Sequence, residues 1–298
     1  MAVTKSIITK GNLDYFIAIS FLMLLMIASF ISGTRIIEPL FRSRLFVLST
    51  VIFLSTAAIF FNPKKYKSIR SVFLDWAPLL LTILCYENLK HLHANNITLA
   101  LGITPKDDWM IYFDQAIFGQ VLPLRLEAII NPALTFFLKM SYTWIYVCMP
   151  SMVLLYFYMR NKQDVFYQIR RALVFCLVGG YILYILIPVA GPRFTLQEEF
   201  SIPLGFDYPL TYVFDTLRYN WDCFPSLHTA VPLLLALKTW PHCGRKLKLL
   251  LIIATFSVIF STVYLRYHYG VDVIAGILWA LIIARLTKPT FPKSIISS

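Results

Sequence analysis

Apolar residues in this chain run in blocks long enough to cross a hydrocarbon layer, with polar or basic residues between them, and do not alternate in short stripes. Eight blocks stand out, at 14–32, 45–61, 72–92, 134–158, 172–189, 228–240, 249–264 and 271–284. A spanning helix needs about 20 apolar residues, so several blocks are short. The shortest, 228–240, contains Pro232 and reads as a helix buried inside a bundle. Backbone polar groups in lipid must bond within their own segment, so the pattern predicts an all-α polytopic membrane helix bundle. Blocks 14–32 and 45–61 form an accessory N-terminal hairpin. The longest pieces outside the blocks, 93–133 and 190–227, carry aromatics and prolines instead of Gly/Ser filler, and are expected to pack over a site. Within the first of them, Asp107 to Phe118 mixes acidic with aromatic and aliphatic residues at helical spacing, which suits a helix lying in the interface.

Composition agrees with lipid as the solvent. Of 298 residues, 58% are hydrophobic and 14% charged, against about 25% charged in a soluble domain. Lys and Arg cluster on one set of connections. The termini (1–13 and 285–298) and loops 62–71, 159–171 and 241–248 hold sixteen, whereas 33–44, 93–133, 190–227 and 265–270 hold eight over longer stretches. Basic residues beside spanning helices stay cytoplasmic, so both termini are expected inside, and 190–227 and 265–270 outside. The net charge of +12 fits the anionic inner leaflet, and no nucleic-acid partner is implied. Block 14–32 follows Lys5 and Lys10 as a secretory signal would, but it is long for one and no clear cleavage site follows. An uncleaved first helix is expected. Five cysteines at irregular spacing offer neither a disulfide framework nor a zinc motif.

Candidate chemistry lies in two stretches, Cys223-Phe224-Pro225-Ser226-Leu227-His228-Thr229 and Arg266-Tyr267-His268-Tyr269-Gly270-Val271-Asp272. His268 and Asp272 are four apart and share a helical face, so the carboxylate can hold one ring nitrogen and leave the other as a nucleophile toward phosphorus. His228 suits protonation of a leaving alkoxide and activation of an acceptor. Arg193, Arg266 and the helix start at Ser226 are donors suited to phosphoryl oxygens. On these residues alone a bland alternative stands, because histidines and arginines beside tyrosines also anchor helices in headgroups. Glu87, Lys90, His91 and His93 form a polar helix end and are not read as a metal site. Asp75 is expected to pair with Arg70 or Lys67, and Gly179 and Gly180 to mark close helix packing.

These stretches resemble the type-2 phosphatidate phosphatase superfamily, whose signature is K-x6-R-P, then P-S-G-H, then S-R-x5-H-x3-D. Ser261, His268 and Asp272 match the third part, Pro225, Ser226 and His228 the second, and Gly191-Pro192-Arg193-Phe194 the first in part. Leu227 replaces the signature glycine, Leu186 its lysine and Thr262 its arginine. The looser pattern, with Asp222 six residues before His228, is similar to the branch of inositol phosphorylceramide synthase and the sphingomyelin synthases. The resemblance implies a six-helix catalytic domain over 72–284, after a membrane hairpin in 1–71 and before a tail at 285–298. It also implies His268 as nucleophile, Asp272 as its orienter, His228 as acid and base, Arg193 with Ser226 in the phosphate pocket, and no metal or cofactor. Arg266 is expected to replace the missing phosphate contact. The expected substrate is a lipid phosphate or phospholipid, and the rival reading is a non-catalytic lipid-binding or transport protein.

Overall fold

The computed structural model describes residues 13–31, 69–91, 102–205 and 221–287, and among these strand pairing is limited to one bridge between Val189 and Asp222. The chain is an all-α helical bundle. Among the described residues its longer helices are α1 (Leu13–Ile31), α2 (Ile69–His91), α3 (Asp107–Phe118), α4 (Pro132–Met159), α5 (Gln163–Leu186), α6 (Leu227–Thr239), α7 (Arg245–Tyr264) and α8 (Gly270–Leu286). Helix α1 packs along α2 and α5, while block 45–61, the second arm of the expected hairpin, lies outside the described residues. By length and composition α4, α5 and α7 suffice to cross a membrane. The outward residues of α7, among them Leu249, Leu250, Ile253 and Phe256, are 55–68% exposed, as a lipid-facing helix requires.

The short block became a central helix. Helix α6 has 13 residues with Pro232 inside and touches α4, α5, α7 and α8. Its Leu227, Ala230, Val231, Leu234 and Leu235 are buried, so neighbouring helices, and not length, shield it from lipid. Close packing sits at Gly179 and Gly180 on α5. A Cβ there would lie 2.5 Å from Trp279 on α8 and 2.6 Å from Leu227 on α6, respectively. At the far end of α6, the Lys238 ammonium donates to the carbonyls of Ala284 and Thr287, both at 2.9 Å, which satisfies the carboxyl end of α8.

Helix α5 starts nine residues before the block 172–189 that announced it, at Gln163, so Arg170 and Arg171 are helical and not loop cations. Arg170 is buried because it has partners. Its Nε lies 2.7 Å from Asp14 Oδ2, with both side chains at most 4% exposed, and its Nη1 donates to the carbonyl of Asp75 at 2.7 Å. The two Asp75 oxygens accept the Tyr158 and Tyr167 hydroxyls, each at 2.7 Å. Hydroxyls from α4 and α5 thus satisfy the half-buried Asp75 carboxylate; the side chains of the expected partners Arg70 and Lys67 lie outside the described residues.

Candidate active site

Three loops meet at the opposite end of the bundle: 187–193 after α5, 221–226 before α6, and 265–269 between α7 and α8. Main-chain bonds lace them together. The Cys223 amide donates to Val189 O at 3.2 Å, the Arg193 amide to Arg266 O at 2.8 Å, and the Ser226 amide to Asp272 O at 3.2 Å. Gly191 stands at the tightest point with a φ of 98°, where a Cβ would meet Tyr267 O at 2.5 Å and Cys223 Sγ at 2.7 Å. A side chain fits neither that conformation nor that space.

His268 and Asp272 are together, although His268 lies in the turn before α8 and not on the helical face that their spacing predicts. Nδ1 lies 3.5 Å from Asp272 Oδ2, and both residues are at most 1% exposed. The same oxygen accepts the Tyr269 amide at 2.9 Å, so the carboxylate caps α8 while facing the imidazole. The separation exceeds that of a strong hydrogen bond. His228, in the first turn of α6, has its ring centre 5.9 Å from that of His268. Ser226 is the N-cap of α6, its hydroxyl accepting the Thr229 amide at 3.2 Å.

An aromatic column fixes the second histidine. His228 stacks between Tyr146 and Tyr142 at 3.9 and 4.2 Å, Tyr142 stacks on Tyr267 at 4.4 Å, and the Arg193 guanidinium lies 5.0 Å from the Tyr267 ring centre while donating to its hydroxyl. The column joins Arg193 to His228 through aromatic faces. Tyr142 belongs to a π-helical segment of α4, Ser141–Ile145, and such segments gather at functional sites. No sequence motif marks Tyr142 or Tyr146; the only signal is their spacing of four within a mostly apolar block.

Arg266 has partners on the segments beside the site. It is 9% exposed, its Nη2 lies 2.8 Å from Glu127 Oε1 and also donates to Ile202 O, and its guanidinium covers Phe200 at 4.0 Å. Glu127 accepts the amides of Ser201 and Ile202 as well, at 3.3 and 3.0 Å. Burial lowers the Arg266 pKa, and the Glu127 carboxylate opposes that shift. Its φ of 66° is the left-handed conformation, uncommon outside glycine. Through Nη2, Arg266 thus ties the 200–202 segment to Glu127 beside the candidate site. Thr262, at the signature arginine's place, accepts the amides of Tyr267 and His268 on its carbonyl, so the position shapes the turn. Leu227, at the signature glycine's place, is accommodated by Gly180 opposite it.

Beneath His228 opens a cavity of about 420 Å³. Asp222, His228 and Tyr267 border it, and its wall includes Leu177, Ile83 and Trp76. Asp222 is buried and accepts the Tyr86 hydroxyl at 2.8 Å. The α2 wall runs from Trp76 to Glu87, eleven residues and thus about 16 Å of helix at 1.5 Å per residue. Glu87 faces this cavity, and His93 lies outside the described residues. Ligand-type atoms of Cys223, His268 and Asp272 lie within 4.8 Å of one another. The thiol, however, donates to the carbonyls of Ala190 and Tyr267 at 3.1 and 3.2 Å, bonds that a metal ligand would give up.

The family model of the PAP2 superfamily matches residues 108–286, from α3 through α8 and including all three loops. No curated protein and no solved structure matches the chain.

Proposed function

This chain belongs to the PAP2 superfamily, and from that premise we propose that it cleaves or transfers a phosphoryl-containing lipid headgroup through a phosphohistidine on His268. Membership supports a phosphatase-type membrane enzyme acting on lipid phosphates. The observation that carries the finer reading is the buried His268–Asp272 pair with His228 beside it, at the mouth of an apolar chamber. In this mechanism Asp272 holds the Nδ1–H of His268, and Nε2 attacks phosphorus. His228 gives its proton to the departing alkoxide, then takes one from the water or alcohol that attacks the phosphohistidine, returning both histidines to their starting states. Arg193 and the first turn of α6 at Ser226 stabilise the phosphoryl oxygens. The chamber receives the apolar tail, and Asp222 contacts the substrate at its rim.

Hydrolysis and transfer share the first half-reaction. A chamber bordered by Asp222, Tyr86 and Glu87 favours a second lipid alcohol as acceptor, the reaction of the synthase-like branch. A transport or binding protein has no use for the orientation of His268 by Asp272. The charge distribution supports termini in the cytoplasm and a site on the other side. Labelling of Gly205→Cys by an impermeant maleimide from the cytoplasmic side alone would overturn that orientation.

The deciding experiment incubates purified protein in detergent, without added metal, with mixed lipid phosphates and phospholipids, and compares it with His268→Ala. Free phosphate lost in the variant establishes a phosphatase, and a new phospholipid lost in the variant establishes a transferase. Activity that survives the substitution sinks the phosphohistidine.

A further inference from the structure

The loops that carry Arg193 and His268 share a second attachment, on a helix with none of the signature residues. Helix α3 has an exposed face of Trp109, Tyr112, Phe113 and Ile117 and a buried face of Asp107, Met110 and Asp114. Asp107 and Asp114 are seven residues apart, two turns, and so lie on one face. Each carboxylate reaches across to a site loop. Asp114 accepts the amides of Gly270 at 3.0 Å, Val271 at 2.8 Å and Leu122 at 3.0 Å. Gly270 and Val271 open α8, whose first amides have no partner within the helix. Asp107 accepts the amides of Ala190 at 3.0 Å and Gly191 at 2.9 Å, and the Tyr269 hydroxyl at 3.2 Å. Gly270 also packs on Phe118, since a Cβ there would lie 2.4 Å from the Phe118 ring.

We propose that Asp107 and Asp114 are positioning residues for the reaction, and that α3 is the brace setting the Arg193 loop and the His268 turn at a fixed separation. His268 stands two residues before Gly270 and Arg193 two after Gly191, so each carboxylate holds the backbone beside a reacting group. A buried carboxylate with three donors has both oxygens aimed, and removing it strands the donors. Burial pushes the Asp114 carboxyl above its ordinary range, and the three amides oppose that shift. The chemistry being positioned rests on the reading of His268 and Arg193 given above.

The test compares Asp107→Asn and Asp114→Asn with Asp108→Asn in the full chain. Asp108 is an exposed neighbour on the same helix, so it controls for lost charge. Asparagine keeps the shape but turns an N–H toward an N–H. Hydrogen exchange should quicken at 264–273 in Asp114→Asn and at 188–194 in Asp107→Asn, with α5 and α7 unchanged. Turnover of whichever lipid phosphate the wild type accepts should fall about 100-fold in kcat for Asp114→Asn, since small misplacements of reacting groups cost that much. Asp107→Asn should act mainly on KM through Arg193, and Asp108→Asn should match wild type. Unchanged exchange in both loops overturns the brace whatever the activity. Quickened exchange with unchanged kcat and KM overturns the positioning role. If the wild type turns over no lipid phosphate, the reaction assignment fails and exchange alone decides the brace. Should Asp107→Asn fail to fold, Tyr269→Phe, which removes one donor from Asp107, gives the same reading at 188–194; should Asp114→Asn fail, Asp114→Glu, which keeps the charge but shifts the carboxylate, is read at 264–273.

Discussion

Two networks of ionisable side chains are buried in this bundle, one toward each end of α5, and they differ in what they leave open. The Asp14–Arg170–Asp75 network is closed, with Arg170 paired to Asp14 at 2.7 Å and both Asp75 oxygens holding tyrosine hydroxyls. At the other end His268 faces Asp272 at 3.5 Å, and His228 beside it borders an apolar cavity of about 420 Å³. Ionisable residues at membrane depth are a functional hypothesis by default. The comparison refines that rule: burial is common to both networks, and an adjoining chamber distinguishes the one that can meet a substrate.

The largest effect expected from breaking this comparison is His268→Ala, with activity down about 10³-fold or more and an unfolding midpoint close to wild type. Arg170→Met should do the reverse. It strands the Asp14 carboxylate, and a buried charge without its partner costs about 3–5 kcal/mol, read as a lower unfolding midpoint, while folded protein keeps its kcat. Adding Asp14→Leu should recover much of the loss, because an apolar pair of similar volume is often neutral or stabilising. A large fall in kcat from Arg170→Met at full stability would erase the distinction.

What the sequence made legible follows the same division. Apolar blocks and the spacing of His268 and Asp272 are local patterns, and the bundle and that pairing are as they foretold. The start of α5 was misplaced because Arg170 and Arg171 look like loop cations until Asp14, 156 residues away, supplies a partner. Arg266 has a partner of the same kind, as nothing near it in sequence announces Glu127, 139 residues away. The aromatic column and the two carboxylates of α3 are likewise products of contacts between distant segments. Charge reads from sequence as available; only the fold shows which charges are already taken.

A smaller effect tests how the site tolerates its departures from the signature. Gly180→Ala would push a methyl to within 2.6 Å of Leu227, an overpacking that typically costs about 1–3 kcal/mol. Leu227→Gly, which restores the signature residue, should remove that penalty, so the double variant should be more stable than the two separate losses predict. Additive losses in a double-mutant cycle would show that Gly180 does not accommodate Leu227.

The smallest expected effect falls on the column. Tyr142→Leu removes stacking from both His228 and Tyr267, and aromatic pairs of this kind contribute about 0.5–1.5 kcal/mol, so kcat/KM should fall by roughly 2- to 10-fold. Its counterpart in the closed network is Tyr167→Phe, which takes one hydroxyl from Asp75 at a cost of about 1 kcal/mol of stability and no change in turnover. Comparable energies are removed in the two variants, so any difference in readout comes from location alone. Kinetics that move with Tyr142 and stability that moves with Tyr167 would locate function at the network beside the chamber; kinetics that move equally with both would mean that the two ends of α5 are coupled through the bundle.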